Sequence, residues 1–367
     1  MGAWVRRFGI RSRTQPDAVS QSLAHIDPTS CERHDPLVHH RSGGREMMRW
    51  CPVAALSVLL FLSSVVMGQG RPPETLKVSS LTMGDDSFLQ GKTEDGSPVV
   101  LTGRLSLPDA EGRLPVVILL HGSAGPGGAQ MPTWAKLLNE NGIAAFALDS
   151  YTGRGLEEVF SDQGRLGILS PIYDLYRAVE ILADHPAIDP DRIAVIGFSR
   201  GGVGALYSAL IRFQKMYGPR RGRLLAHLPF YPPCNFELER DTEVGPAPIR
   251  HFHGIADDWN PIEVCRAYIG RLKASGADVE IFEYEGAQHA FDNPGAPAYF
   301  VNGQAQTSRN CLRKEVDGRL TNAATGEPFS WTQACVETGP ATQYNGPAAE
   351  AATAAALATL KSAFETP

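Results

Sequence analysis

The sequence predicts an α/β fold: a mostly parallel central sheet with helices on both faces. Two observations carry this. From residue 115 onward, short apolar runs of strand length alternate with segments of helical spacing, which is how βα units read. The strands Val116-Val117-Ile118-Leu119-Leu120 and Ile193-Ala194-Val195-Ile196 are apolar at every position, as strands covered on both faces must be.

In order, the pattern predicts a β-hairpin over residues 76–106, then a strand at 115–120, a helix at 131–141, a strand at 143–149 and a helix at 169–184. A strand at 193–198, a helix at 200–215 and two strands at 224–230 and 248–253 follow. A helix at 261–274, a strand at 279–284 and an alanine-rich helix at 348–364 complete the series. Alanine at that density suits a helix lying close against the sheet. Between the last strand and last helix, residues 293–347 are rich in Gly, Asn, Thr and Pro, longer than an ordinary connection, and read as an ordered excursion clipped by a disulfide.

The N-terminal part is not domain-like. Residues 1–46 are rich in Arg, His, Ser and Pro without apolar period, and read as a disordered or mistranslated leader. Residues 47–68 read as a signal peptide: Arg49 precedes the apolar run from Val53 to Val66, and Val66-Met67-Gly68 offers a cleavage site. The apolar run is too short for a comfortable membrane span. Export and a catalytic domain over residues 76–367 are therefore expected, secreted or periplasmic, with no stable membrane association once the signal is cleaved. The chain of 367 residues has a net charge of −6, which argues against nucleic acid as a partner.

Ser199 sits in Gly197-Phe198-Ser199-Arg200-Gly201, between a predicted strand and a predicted helix. Glycines are needed there because a serine on a sharp strand-to-helix turn has its neighbours packed close. A hydroxyl is a poor nucleophile until a base takes its proton, and the base needs a carboxylate to fix its tautomer. His289, delivered by the strand Val279-Glu280-Ile281-Phe282-Glu283-Tyr284 to the sheet's carboxyl edge, is the candidate base. Asp257 is the preferred carboxylate because Gly254-x-x-Asp257 with Pro261 four residues on suits the acid turn; Asp258 is the alternative. The order Ser, Asp, His is that of the α/β-hydrolase fold. His185, His227, His251 and His253 are expected to be structural, packed or exposed.

The strand ending at Leu120 runs into His121-Gly122-Ser123-Ala124-Gly125, a turn with free backbone N–H groups. The N–H of Ser123 and that of Arg200 are the candidate oxyanion donors. Tyr151 and Arg154, after a strand's carboxyl end, are candidates to touch substrate, Arg154 through a carboxylate. Past the signal segment stand Cys234, Cys265, Cys311 and Cys335, for which three pairings exist. Cys234 and Cys265 both lie near the catalytic edge and are expected to pair, leaving Cys311 with Cys335. Metal-ligand spacings, phosphate loops and dinucleotide fingerprints are missing from the sequence, so no metal or cofactor is expected.

From about residue 78 to the C-terminus the chain resembles the dienelactone hydrolase family. Tyr231-Pro232-Pro233-Cys234, Asp257-Asp258-Trp259-Asn260-Pro261 with Cys265, and His289-Ala290-Phe291-Asp292 are similar to motifs of that family. The resemblance implies a hydrolase of small esters or lactones. The family's namesakes carry a cysteine nucleophile, so Ser199 favours plain serine esterase chemistry through an acyl-enzyme. A peptidase or acyltransferase using the same triad, and a binding protein on a hydrolase scaffold, are the alternative readings.

Overall fold

The computed structural model describes residues 72–365, and the leader and signal segment expected over residues 1–68 lie outside them. The chain opens with β1 (Glu74–Thr82), α1 (Asp85–Leu89) and β2 (Ser97–Ser106), and then alternates. β3 (Leu114–Leu120), α2 (Gln130–Glu140), β4 (Ala144–Asp149), α3 (Ser170–Asp184) and β5 (Ile188–Phe198) are followed by α4 (Arg200–Tyr207) and α5 (Ile211–Tyr217). β6 (Leu224–Phe230), a short β7 (Phe236–Glu237), β8 (Ile249–Gly254), α6 (Ile262–Ala274) and β9 (Val279–Tyr284) complete the sheet region.

Eight strands form one sheet in the order β1-β2-β4-β3-β5-β6-β8-β9. β1 with β2 and β2 with β4 are antiparallel; the pairs from β4 through β9 are parallel. Alternate residues of β3 enter different cores, which is why the strand is apolar throughout. Val117 and Leu119 pack with Trp134 and Leu138 of α2 and with the final helix α7 (Gly346–Glu365) on one face. Val116, Ile118 and Leu120 pack with Leu175, Ala178 and Leu182 of α3 on the other. In α7 the buried residues Ala352, Ala356 and Leu360 recur every four positions, so small side chains let the helix axis approach the sheet.

The helix expected at 200–215 is broken. Between α4 and α5, Leu210 forms an isolated antiparallel bridge with Val244, and the Ile211 N–H donates to the Glu243 carbonyl at 2.9 Å. A distant loop thus takes up backbone groups that a continuous helix would have used. The excursion at 293–347 is built from small sheets: β10 (Phe300–Val301), β11 (Gln306–Thr307), β12 (Arg313–Val316), β13 (Arg319–Asn322), β14 (Glu337–Thr338) and β15 (Ala341–Thr342). β12 joins the body through parallel pairing with β7, and buried Arg313 lies 3.8 Å over the Phe236 ring. Cys311 is bonded to Cys335 within this segment, and Cys234 to Cys265 ties the end of β6 to α6.

His227 in β6 is almost fully buried, 3.0 Å by its Nδ1 from the Ala205 carbonyl. Burial pushes its pKa from 6.5 down to about 4. The unfolded chain therefore binds a proton that the folded chain refuses. The stability tied to neutral His227 is complete above pH 6.5 and is lost as pH falls toward 4. The full span is worth about 3 kcal/mol. His227→Asn keeps a donor for Ala205 and removes the titration. Denaturant unfolding at pH 7.5 and 5 is expected to show a pH-dependent loss smaller by about 2 kcal/mol in the variant. Equal losses in the two proteins would show that His227 does not titrate in this way.

Candidate active site

β5 ends at Phe198 and α4 begins at Arg200, so Ser199 alone makes the turn, at φ 53° and ψ −115°. A non-glycine residue held there costs about 1–3 kcal/mol. The surroundings enforce it: the Ser199 N–H donates to the Phe230 carbonyl at 2.9 Å. A Cβ at Gly197 would lie 2.1 Å from the Gly201 carbonyl oxygen, and one at Gly201 would lie 2.2 Å from that of Leu120. Only glycine allows the strand, the turn and the helix to close so tightly around the serine.

His289, on the loop after β9, places Nε2 2.9 Å from Ser199 Oγ and Nδ1 2.8 Å from Asp257 Oδ2. The other oxygen, Oδ1, accepts the backbone N–H groups of Trp259 and Asn260, each at 2.9 Å. Asp257 is thereby held acceptor-only toward the imidazole, so Nδ1 carries the proton and Nε2 is free to accept from the serine. Asp258, the alternative carboxylate, points elsewhere: its Oδ1 accepts the Ala341 N–H at 2.8 Å, and Oδ2 lies 3.5 Å from Arg309.

Behind Asp257 stands a pair of buried histidines, stacked with ring centroids 5.1 Å apart. His253 Nε2 donates to the Asn260 carbonyl at 2.8 Å and lies 3.6 Å from Asp257 Oδ2. Its Nδ1 must therefore accept, and His251 Nε2 donates to it at 2.9 Å. Burial lowers the pKa of both, keeping them neutral. The pair packs the floor of the acid turn without adding charge to it. His251 lies close to the Cys234 and Cys265 sulfurs, which are spent on each other in the disulfide.

Among the described residues, the Ser123 and Arg200 backbone N–H groups donate to no protein acceptor. Gln163, which the sequence did not single out, ties these two residues together. Its Oε1 accepts both the Ser123 hydroxyl at 3.0 Å and an Arg200 guanidinium N–H at 2.9 Å. Arg200 also donates to the Leu166 carbonyl, so both terminal nitrogens of its buried guanidinium brace the loop, while its Nε is buried without a partner among the described residues.

A cavity of about 220 Å³ opens on Ser199 and His289. Tyr231 and Trp259 flank the imidazole, with ring centroids 4.7 and 4.8 Å from it. Tyr231 is locked at a positive φ of 40°, and its hydroxyl donates to Asp292 at 2.5 Å. Trp134 and Gln130 donate to the same carboxylate. Burial pushes the Asp292 pKa up and that of Tyr231 well above the usual phenol range. Phe160, from the segment after β4, and Pro297, Asn302 and Thr342, from the 293–347 excursion, complete the wall. A larger cavity, about 800 Å³, lies at the opposite edge of the sheet beside Leu224 and Pro248, remote from the triad.

Two expectations need correction. Arg154 does not face substrate: its guanidinium is buried against Asp174, with two contacts of 2.8 Å. Tyr151 is also buried, edge-on to His121 at 4.4 Å, and does not line the cavity. Arg154 ties the segment after β4 to β1 and α3, and Tyr151 packs against His121 beside the loop after β3.

A parallel sheet with a serine at a strained elbow after β5, an acid after β8 and a histidine after β9, all at the carboxyl edge, defines an α/β-hydrolase. The chain belongs to the dienelactone hydrolase family, whose description matches residues 101–316, and is with that family a carboxylic ester hydrolase. A Bradyrhizobium protein named "probable 2-oxo-3-(5-oxofuran-2-ylidene)propanoate lactonase" is 25% identical over 210 residues, 53% of this chain and 80% of its own length. A dienelactone hydrolase-like promiscuous phosphotriesterase from metagenomic libraries shares the fold with a TM-score of 0.50 at 17% identity, covering 80% of this chain and 99% of its own. An esterase of Thermogutta terrifontis gives 0.42 at 22% identity, covering 53% of this chain and 82% of its own.

Proposed function

We propose that the chain is an exported serine hydrolase that opens small carboxylic esters or lactones through an acyl-enzyme on Ser199. The observation that carries this is the chain Ser199–His289–Asp257, bonded at 2.9 and 2.8 Å, with a cavity open on the serine. His289 Nε2 takes the Ser199 proton as Oγ attacks the carbonyl carbon. The oxyanion forms against the N–H groups of Arg200 and Ser123. His289 then gives the proton to the leaving alcohol oxygen, and the C–O bond breaks. A water that loses its proton to the same nitrogen attacks the acyl carbon, and the C–Oγ bond breaks as Nε2 returns that proton to Ser199, releasing the acid. In a lactone the leaving oxygen stays attached to the product, so one hydroxy acid results. The Bradyrhizobium relative's name supports lactones as a substrate class. The apolar segment at Val53 to Val66 and two disulfides among the described residues support export.

Hydrolysis of p-nitrophenyl acetate and butyrate by residues 69–367 tests the reading. Ser199→Ala is expected to lower kcat by at least about a thousandfold. A fluorophosphonate is expected to label the parent and to leave Ser199→Ala unlabelled. Full activity in Ser199→Ala would exclude the elbow serine as nucleophile.

A further inference from the structure

The excursion at 293–347 hangs on the catalytic histidine itself. Thr342 of β15 bridges to His289, and the Gln343 N–H donates to the His289 carbonyl at 3.1 Å. β10 pairs with β15, and the Tyr344 N–H donates to the Pro297 carbonyl at 3.0 Å, so residues 297–302 and 340–344 form one strap. The strap has an inner and an outer part. Pro297, Asn302 and Thr342 line the triad cavity. Between and beside them, Tyr299, Phe300, Val301 and Tyr344 stand 58%, 51%, 50% and 40% exposed.

Seven large apolar side chains stand out as exposed among the described residues, and four of them are on this strap. Scattered apolar residues need no explanation, but four of them on one strap whose neighbouring residues line a catalytic cavity do. The cavity, at about 220 Å³, is also smaller than the ~300–1,000 Å³ usual for a site that encloses a whole ligand. A substrate longer than a few atoms must emerge from it. The oxyanion donors belong to the loops after β3 and β5, whereas the strap belongs to the histidine. His289 must reach the leaving oxygen to protonate it, so the leaving alcohol lies on the imidazole's side of the carbonyl.

We infer that the strap is an apolar platform for the alcohol arm of the substrate, making the enzyme selective for esters of long-chain alcohols. This rests on the reading of Ser199 and His289 as a catalytic pair. Two lines of chemistry agree: residues 297–302 and 340–344 of the strap themselves carry no charged side chain, and each methylene laid on the exposed apolar ones leaves water, worth roughly fourfold in binding at full burial.

The test uses ethyl, butyl and octyl acetate, with ethyl octanoate as the acyl-side counterpart, all below their solubility limits and followed by acid release. Parent protein is compared with Phe300→Ser/Tyr344→Ser. These side chains are exposed, and retained ethyl acetate hydrolysis reports an intact fold and triad. The parent's kcat/KM is expected to rise by about tenfold or more from ethyl to octyl acetate, two well-buried methylenes sufficing for that factor. The double variant is expected to lose about tenfold on octyl acetate, chiefly through KM, and less than about twofold on ethyl acetate. Equal losses on both acetates, no loss on either, or a loss confined to ethyl octanoate would each overturn the platform. A loss that follows a change of oligomeric state in size-exclusion chromatography would make the strap a self-association face and overturn it too. A parent that hydrolyses none of these esters would instead overturn the catalytic reading beneath it.

Discussion

Asp257→Asn is expected to lower kcat for p-nitrophenyl acetate by about four orders of magnitude, the loss that follows when a triad imidazole is held in the wrong tautomer. The hydrogen bonds around Asp257 predict the mechanism of that loss. Oδ1 accepts two backbone N–H groups, from Trp259 and Asn260, so an asparagine must put its carbonyl oxygen there. Its NH₂ then faces His289 Nδ1. That nitrogen must become the acceptor, the proton moves to Nε2, and Nε2 can no longer take the Ser199 proton. KM should change little because Asp257 is buried behind the histidine. Asp258→Asn keeps an acceptor for the Ala341 N–H and should stay within about threefold of the parent, as a substitution outside the reacting set does. Steady-state kinetics of the three proteins at pH 8 decides the matter. Comparable losses in both variants would remove Asp257 from its assigned place.

The difference between these two neighbouring acids marks how far the sequence could be read. The spacing from Gly254 to Pro261 favoured Asp257, and the reason is local: an acid turn in which a side chain caps its own following residues has a short-range signature. The elbow at Ser199 was legible for the same reason, since its glycines answer to contacts within a few residues and one adjacent strand. The alternating elements were legible because doubly covered strands are apolar throughout. What escaped depended on partners distant in the chain. The break between α4 and α5 is set by residues 243–244, and no feature of residues 208–210 announces it. Gln163 holds the Ser123 and Arg200 side chains across 40 and 37 positions. Tyr231 reaches Asp292 across 61. The two-residue strands of the excursion are too short for any periodicity. The carboxyl-edge position of Arg154 suggested substrate, but position does not reveal whether a partner already waits inside the protein.

That partner predicts the outcome of removing Arg154. All of its N–H-bearing nitrogens are engaged: Nη1 and Nη2 with Asp174 at 2.8 Å each, Nε with Thr82 at 3.0 Å, and the terminal nitrogens also with the Ser150 and Leu81 carbonyls. Asp174 adds the Ser80 hydroxyl at 2.5 Å. One buried ion pair thus joins β1, the loop after β4 and α3. Its net contribution need not be large, because both charges were taken out of water to make it. Breaking it is another matter. Arg154→Leu leaves the Asp174 carboxylate buried with a single hydroxyl, and is expected to lower unfolding free energy by about 3–5 kcal/mol. Adding Asp174→Leu should recover much of that loss, since no uncompensated charge remains. In the fraction that stays folded, kcat/KM for neutral and for carboxylate-bearing esters should both lie within about twofold of the parent, because the guanidinium never meets substrate. Urea unfolding of the single and double variants, with kinetics on both ester types, separates the two roles. Unchanged stability with a raised KM only for carboxylate-bearing esters would return Arg154 to the substrate site.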